Sequence, residues 1–172
     1  MPRPSYRLAS RVAALAAVGA LSACANFNQL PPNTPLADVT AQFGHPNFEC
    51  TLPDGVRRVI WTQQPSGQYA WGGNVSADGR VDQVVPILTD AHFEVLRTGT
   101  WTSDRILCEF GPPAEISEVG LPSVRQVVWA YRYKQSQVWN SLMYVYLGRD
   151  GNALTRFHPG PDPMYDEELP WR

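Results

Sequence analysis

Phe110-Gly111-Pro112-Pro113, followed by Val127-Val128-Trp129-Ala130-Tyr131-Arg132-Tyr133, decides the architecture of this chain. Glycine permits a left-handed exit from a helix and the prolines block its continuation, so the first stretch is a helix stop. Thr102 or Ser103 caps the short helix that ends at Phe110. Beyond the stop, Arg125–Lys134 reads as a strand with Val127, Trp129, Tyr131 and Tyr133 on one face. Upstream, Thr89 caps a helix over Asp90–Arg97 that turns Phe93 and Leu96 inward and halts at Gly99. Downstream, Leu142–Leu147 is a second strand, with Tyr144 and Tyr146 on one side and Met143, Val145 and Leu147 on the other. Asp150-Gly151 predicts a tight hairpin into Ala153–Phe157.

The same order of landmarks occurs earlier in the chain. Phe27, Leu30, Thr34 and Asp38 align with Phe93, Leu96, Thr100 and Asp104 at an offset of 66. Phe43-Gly44-His45-Pro46 precedes the second stop by 67, Arg58-Val59-Ile60-Trp61 precedes Gln126-Val127-Val128-Trp129 by 68, and Asp78-Gly79 precedes Asp150-Gly151 by 72. Offsets that only grow are what loop-length differences between two copies produce. In the first copy Pro31 and Pro32 interrupt the opening helix, Leu36–Phe43 forms the second, and Arg57–Gln63, Tyr69–Val75 and Val81–Pro86 form strands. The expected class is α+β: two tandem helix(-helix)-strand-strand-strand repeats with antiparallel sheets, the helices packed on one sheet face. The expected boundaries are 24–88 and 89–158, followed by a proline-rich acidic tail over 159–172.

The N-terminus has a separate role. Arg3, Arg7 and Arg11 precede the short apolar run Val12–Leu21, which is the order of a secretory signal and about half a membrane span. Leu21-Ser22-Ala23-Cys24 is similar to the processing site of bacterial lipoproteins, which implies cleavage after residue 23 and lipidation of Cys24. Two or three acyl chains make a stable anchor. An alanine, not an aspartate, after the cysteine resembles the pattern sorted to the outer membrane, with the body in the periplasm. Removing residues 1–23 leaves 149 of the 172 residues and, with three arginines gone, moves the formal charge from −2 to −5. No basic stripe remains for nucleic acid.

The second copy resembles the outer-membrane lipoprotein family of BamE, also called SmpA/OmlA. The resemblance rests on Phe93, Leu96 and Gly99, on Phe110-Gly111-Pro112-Pro113, on Trp129-Ala130-Tyr131 and on Tyr146 with Asp150-Gly151. The first copy keeps the FG-x-P stop and the tryptophan, but Gln63 stands where the tyrosine belongs. A single anchored copy looks like the accessory lipoprotein of the β-barrel assembly machinery. A tandem copy resembles the secreted β-lactamase inhibitor protein, whose joined sheets grip an enzyme on a concave surface. The resemblance implies a non-enzymatic, outer-membrane-anchored adaptor that binds envelope proteins, with that machinery as a candidate partner. The alternative it implies is a tethered inhibitor or ligand-binding module.

Residue chemistry points the same way. His45, His92 and His158 are isolated, without ligand spacing for a metal; His45 fits the helix-stop turn and His92 an exposed helix position. No phosphate loop, nucleophile elbow or other cofactor motif is present. Cys50 and Cys108 are read either as a disulfide, in an oxidising compartment, or as two small buried apolar residues. The aromatic side chains carry the remaining signal. Trp129, Tyr131 and Tyr133, with Tyr144 and Tyr146 on neighbouring positions, form a partner-binding face if open and core if covered. Trp71, Trp101 and Trp139 are further candidates for exposed anchors.

Overall fold

The computed structural model describes residues 26–165; the expected signal peptide, Cys24 and residues 166–172 lie outside them. The fold is α+β with two antiparallel sheets. After a 3-10 turn at Phe27–Gln29 come β1 (Thr34–Pro35), α1 (Leu36–Phe43), β2 (Phe48–Thr51), β3 (Arg57–Thr62), β4 (Ala70–Val75), β5 (Arg80–Val81) and β6 (Val85–Pro86). The order across the first sheet is β1-β5-β4-β3-β2, with β6 also paired to β4. Then α2 (Asp90–Phe93) runs into a 3-10 turn (Glu94–Arg97), followed by α3 (Ser103–Phe110), β7 (Glu115–Val119), β8 (Gln126–Gln135), β9 (Trp139–Tyr146) and β10 (Arg156–Pro161). The second sheet has the order β10-β9-β8-β7.

Local chemistry sets the helix ends. The Thr89 and Thr102 hydroxyls accept from His92 N and Arg105 N, satisfying first-turn donors of α2 and α3. Both α1 and α3 end at the glycine of the FG-x-P stop. Gly44 (φ 83°) donates to Thr40 O, and Gly111 (φ 78°) donates to Leu107 O. A side chain at either φ would be strained.

Several elements depart from expectation. β2 and β7 have no counterpart among the expected strands; each adds an edge strand ahead of the meander. The expected strand Val81–Pro86 is broken at Asp82, whose carboxylate accepts from Asn74 N, leaving two short strands. Asp150-Gly151 does not close a tight hairpin. Ala153 instead bridges Thr102, and β10 starts only at Arg156. β10 also runs past the expected boundary at 158, because Pro159, Gly160 and Pro161 register with Met143, Leu142 and Ser141.

Layering is the feature that positions everything else. One face of the first sheet carries Val59, Trp61, Val75 and Val81, which pack with Val39 of α1 and with Phe27, Leu30, Leu36 and Phe43. Its other face carries Cys50, Arg58, Ile60 and Ala70, and these meet α3: Cys50 is joined to Cys108 by a disulfide, and Ile60 packs with Phe93, Ile106 and Phe110. The second sheet contributes Tyr131, Tyr133, Met143 and Val145 to that same cluster. Helices α2 and α3 therefore lie between the sheets. The first sheet is covered on both faces, in contrast to the expected helices on one face only.

Candidate interaction surface

The expected aromatic face divides in two. Trp129, Tyr131 and Tyr133 register with Val145, Met143 and Ser141 across β8–β9, while Tyr144 and Tyr146 register with Ala130 and Val128. Directly opposed residues in an antiparallel pair share a face, so Tyr144 and Tyr146 lie on the opposite side from the other three. That corrects the expectation of one aromatic surface.

The first set is interior. Tyr131 and Tyr133 are both 0% exposed. Tyr131 Oη donates to Gly111 O (3.1 Å) and Tyr133 Oη to Asp90 Oδ1 (3.0 Å), giving each buried hydroxyl an acceptor. Burial pushes both phenols far above their ordinary range, and the Asp90 carboxylate adds to the effect at Tyr133. Trp129 is half-buried against the same cluster. Trp101 is buried too, its Nε1 donating to Thr98 O at 2.9 Å. Tyr131, Tyr133 and Trp101 are thus core, not partner anchors.

The second set lines the face that turns away from α2 and α3. Val128, Ala130, Leu142, Tyr144 and Tyr146 belong to neither apolar cluster, yet Val128, Ala130 and Leu142 are 1–3% exposed and Tyr146 9%, so the half-buried Tyr144 and the exposed Arg156 and His158 are what this face presents to solvent. Tyr146 Oη is 3.1 Å from His158 Nε2, and the Arg156 guanidinium lies 3.6 Å above the Tyr146 ring. Tyr144 also packs on His158, at 5.6 Å between centroids. A Cβ at Gly160 would stand 2.9 Å from Tyr144 Cε2, so the absent side chain makes room for the ring. Partial burial, then the nearby Glu115 and Asp162 carboxylates, raise the Tyr144 phenol above its ordinary value.

On this same face, opposite Leu142, lies a buried cation. Arg132 is 5% exposed; its Nη1 donates to Pro65 O (2.8 Å), Nη2 donates to Glu115, and Nε stands 3.0 Å from Asp162 Oδ2. Asp162 itself is 1% exposed, so the acidic tail begins with a residue sealed in the fold. The guanidinium ties β8 to β7, to the β3–β4 loop and to the end of β10.

A second polar cluster ties the first sheet to α2 and α3. Glu109 Oε1 lies 2.6 Å from His92 Nε2 and 2.9 Å from Arg58 Nη2, and Arg58 Nη1 donates to Asn74 Oδ1 (3.1 Å). Burial would raise the Glu109 carboxyl, but the His92 hydrogen bond and the Arg58 charge hold it below the usual carboxylate range. His92, expected on an exposed helix position, is instead half-buried against this acid. The carboxylate is committed to two side chains and acts as a clasp. Among the described residues no group of three histidines, cysteines or acids could hold a metal ion, and no helix is long and apolar enough to cross a membrane.

Among the described residues the most exposed aromatic is Trp139, at 68%, beside Val138 at 63%. Trp71 is half-buried in a ladder of rings: Phe43 stacks on Phe27 (3.9 Å), Phe27 on Trp71 (4.9 Å) and Trp71 on Tyr69 (5.9 Å). Comparison with known proteins adds nothing to this geometry: no family model, curated protein or solved structure matches the chain.

Some residues of this site carried no readable signal. Arg156 and His158 fall on the Tyr144–Tyr146 side only once the β9–β10 register is known. Gln64, Arg58 and Glu109 look like ordinary surface residues in the sequence, since their partners are 51 to 68 positions away.

Proposed function

We propose that this chain is a non-enzymatic lipoprotein, anchored through Cys24 in the outer membrane and facing the periplasm, that binds envelope proteins through the outer face of β7–β10. The observation that carries the reading is the surface of half-buried Tyr144 and exposed His158 and Arg156, laid over a buried Tyr146, on a sheet face that packs on neither apolar cluster. Tyrosine and arginine are among the side chains that most often dominate protein interfaces, since each offers a large contact area together with hydrogen-bonding groups. The ring–guanidinium stack and the Gly160 cradle hold two of them in place before a partner arrives, which lowers the ordering cost of binding.

The tandem BamE-like architecture belongs to this proposal. Each half has an eight-residue helix ended by an FG-x-P glycine and followed by an antiparallel meander, which supports two copies of one unit. Barrel-assembly components are the partners to test first. The tethered-inhibitor reading draws less support, because the second face of the first sheet packs on α3 and is not free to extend a shared concave surface.

Photocrosslinking from position 144 in cells, with position 131 as the interior control, tests the assignment. Discrete protein adducts from 144 and none from 131 are expected. Equal yields at the two positions, or none at 144, would remove this face from consideration. Adducts that contain no barrel-assembly component would keep the face and remove that partner.

A further inference from the structure

We propose that a second, distinct surface, formed by Trp139, Val138, Tyr69 and Trp71, rests in the headgroup region of the bilayer that holds the anchor. The proposal depends on lipidation of Cys24, the reading given above. Trp139 and Val138 project from the β8–β9 turn, in which Ser136 (φ 50°) and Gln137 (φ 61°) both adopt left-handed backbone. Asp90 holds that turn, its Oδ2 accepting from Ser136 N at 2.6 Å. A conformation costly for two non-glycine residues is thus fixed from outside the hairpin.

The two sheets bring their aromatic residues to one end. Gln68 Nε2 donates to Asn140 Oδ1 (2.9 Å), which sets the residue before Tyr69 against the residue after Trp139. Beside Tyr69 and Trp71 runs a groove of about 580 Å³, lined also by Asn28 and by Lys134, Ser136 and Gln137 just ahead of Val138 and Trp139. Asp90 also borders the groove, but both its oxygens are occupied, by Tyr133 Oη and Ser136 N.

The anchor selects the occupant. Phe27, at the centre of the ring ladder, stands three residues from Cys24, so the two Cα atoms are at most about 11 Å apart even in a fully extended chain. A stack that continues from Phe27 through Trp71 to Tyr69 is therefore held within reach of the acyl chains. Tryptophan and tyrosine favour the membrane–water boundary, where the ring leaves water and the polar edge keeps it. Exposure of 68% at Trp139 and 45% at Tyr69 in water becomes productive burial there. The anchor and the rim together give the body a fixed orientation on the membrane, which two attachment points achieve and a single flexible tether does not.

The test uses the full lipoprotein, purified from membranes in a W171F background and reconstituted into phosphatidylethanolamine–phosphatidylglycerol vesicles containing brominated acyl chains. The mass of the mature N-terminus is measured first. An acylated chain is expected to show tryptophan quenching that W139F largely removes and W71F reduces, with the far-ultraviolet spectrum unchanged. Acylated protein that is unquenched, or whose quenching W139F does not alter, overturns the proposal and leaves the anchor and the β7–β10 face standing. An unacylated chain overturns both the anchor and this surface.

Discussion

Gln64 completes the open edge of β8 by pairing with the backbone of Arg132. Its Nε2 donates to Arg132 O (2.8 Å) and its Oε1 accepts from Arg132 N (3.2 Å). β7 ends its pairing at Ala130, so one side-chain amide from the first half takes the position that the next peptide group would hold. Unpaired backbone at a sheet edge is costly when water is excluded and invites intermolecular pairing when it is not. Gln64→Ala should destabilise the protein by about 1–3 kcal/mol, the range for a half-buried backbone pair left unmatched. Gln64→Glu should cost at least as much, because a carboxylate would face the carbonyl without a proton to donate. Urea unfolding at neutral pH measures both, and wild-type midpoints would show the pairing to be dispensable.

The Cys50–Cys108 bond joins β2 to α3 across 58 residues. Loop-closure entropy for a loop of that size corresponds to about 4 kcal/mol. Reduction should lower the urea midpoint of the native chain and leave C50S/C108S unaffected. A midpoint that does not respond to reductant would mean that the bond is absent or that its constraint is offset elsewhere.

Glu109 predicts the sign of the acid response. Its folded pKa lies below the ordinary glutamate value of 4.5. Its contribution is therefore complete above that value and is lost as pH falls through the lower folded pKa. Glu109→Gln should reduce stability at neutral pH and flatten the decline between neutrality and acid. An acid limb as steep as that of the native protein would place the titration on other carboxylates.

Core and surface tyrosines should separate cleanly. Tyr131→Phe leaves the buried Gly111 carbonyl without its partner and should cost about 1–2 kcal/mol, while Tyr131→Ala should cost about 3–5 kcal/mol. Tyr144→Ala should cost a small part of that and instead abolish the adducts formed from a photocrosslinker placed at position 158, its neighbour across β9–β10. Thermal melts of the three variants check the order; comparable losses at 131 and 144 would show that the β7–β10 face is covered after all.

How much of this was legible differs from element to element. The strand at Arg125–Lys134 and the helix ending at Phe110 could be read within one or two residues, because caps, stops and period-two alternation are local. The broken Val81–Pro86 strand and the late start of β10 could not, since Asp82 and Ala153 answer to Asn74 and Thr102. The candidate site was half legible: alternation put Trp129 with Tyr131 and Tyr144 with Tyr146, but carried no register between the two strands.

By itself, then, the sequence determined the α+β class, the helix stops at Gly44 and Gly111 and the pairing of side chains along each strand. These follow from steric limits and hydrogen-bond needs within a few residues. Only the tertiary structure decided that the Tyr131 face is core, that Tyr144, Tyr146, His158 and Arg156 form the outer face, and that Gln64 closes a distant edge. Alternation divides a strand into two faces of equal standing. Which one is buried depends on where α3 packs, and its contacts with Cys50, Arg58 and Ile60 join parts of the chain about fifty residues apart.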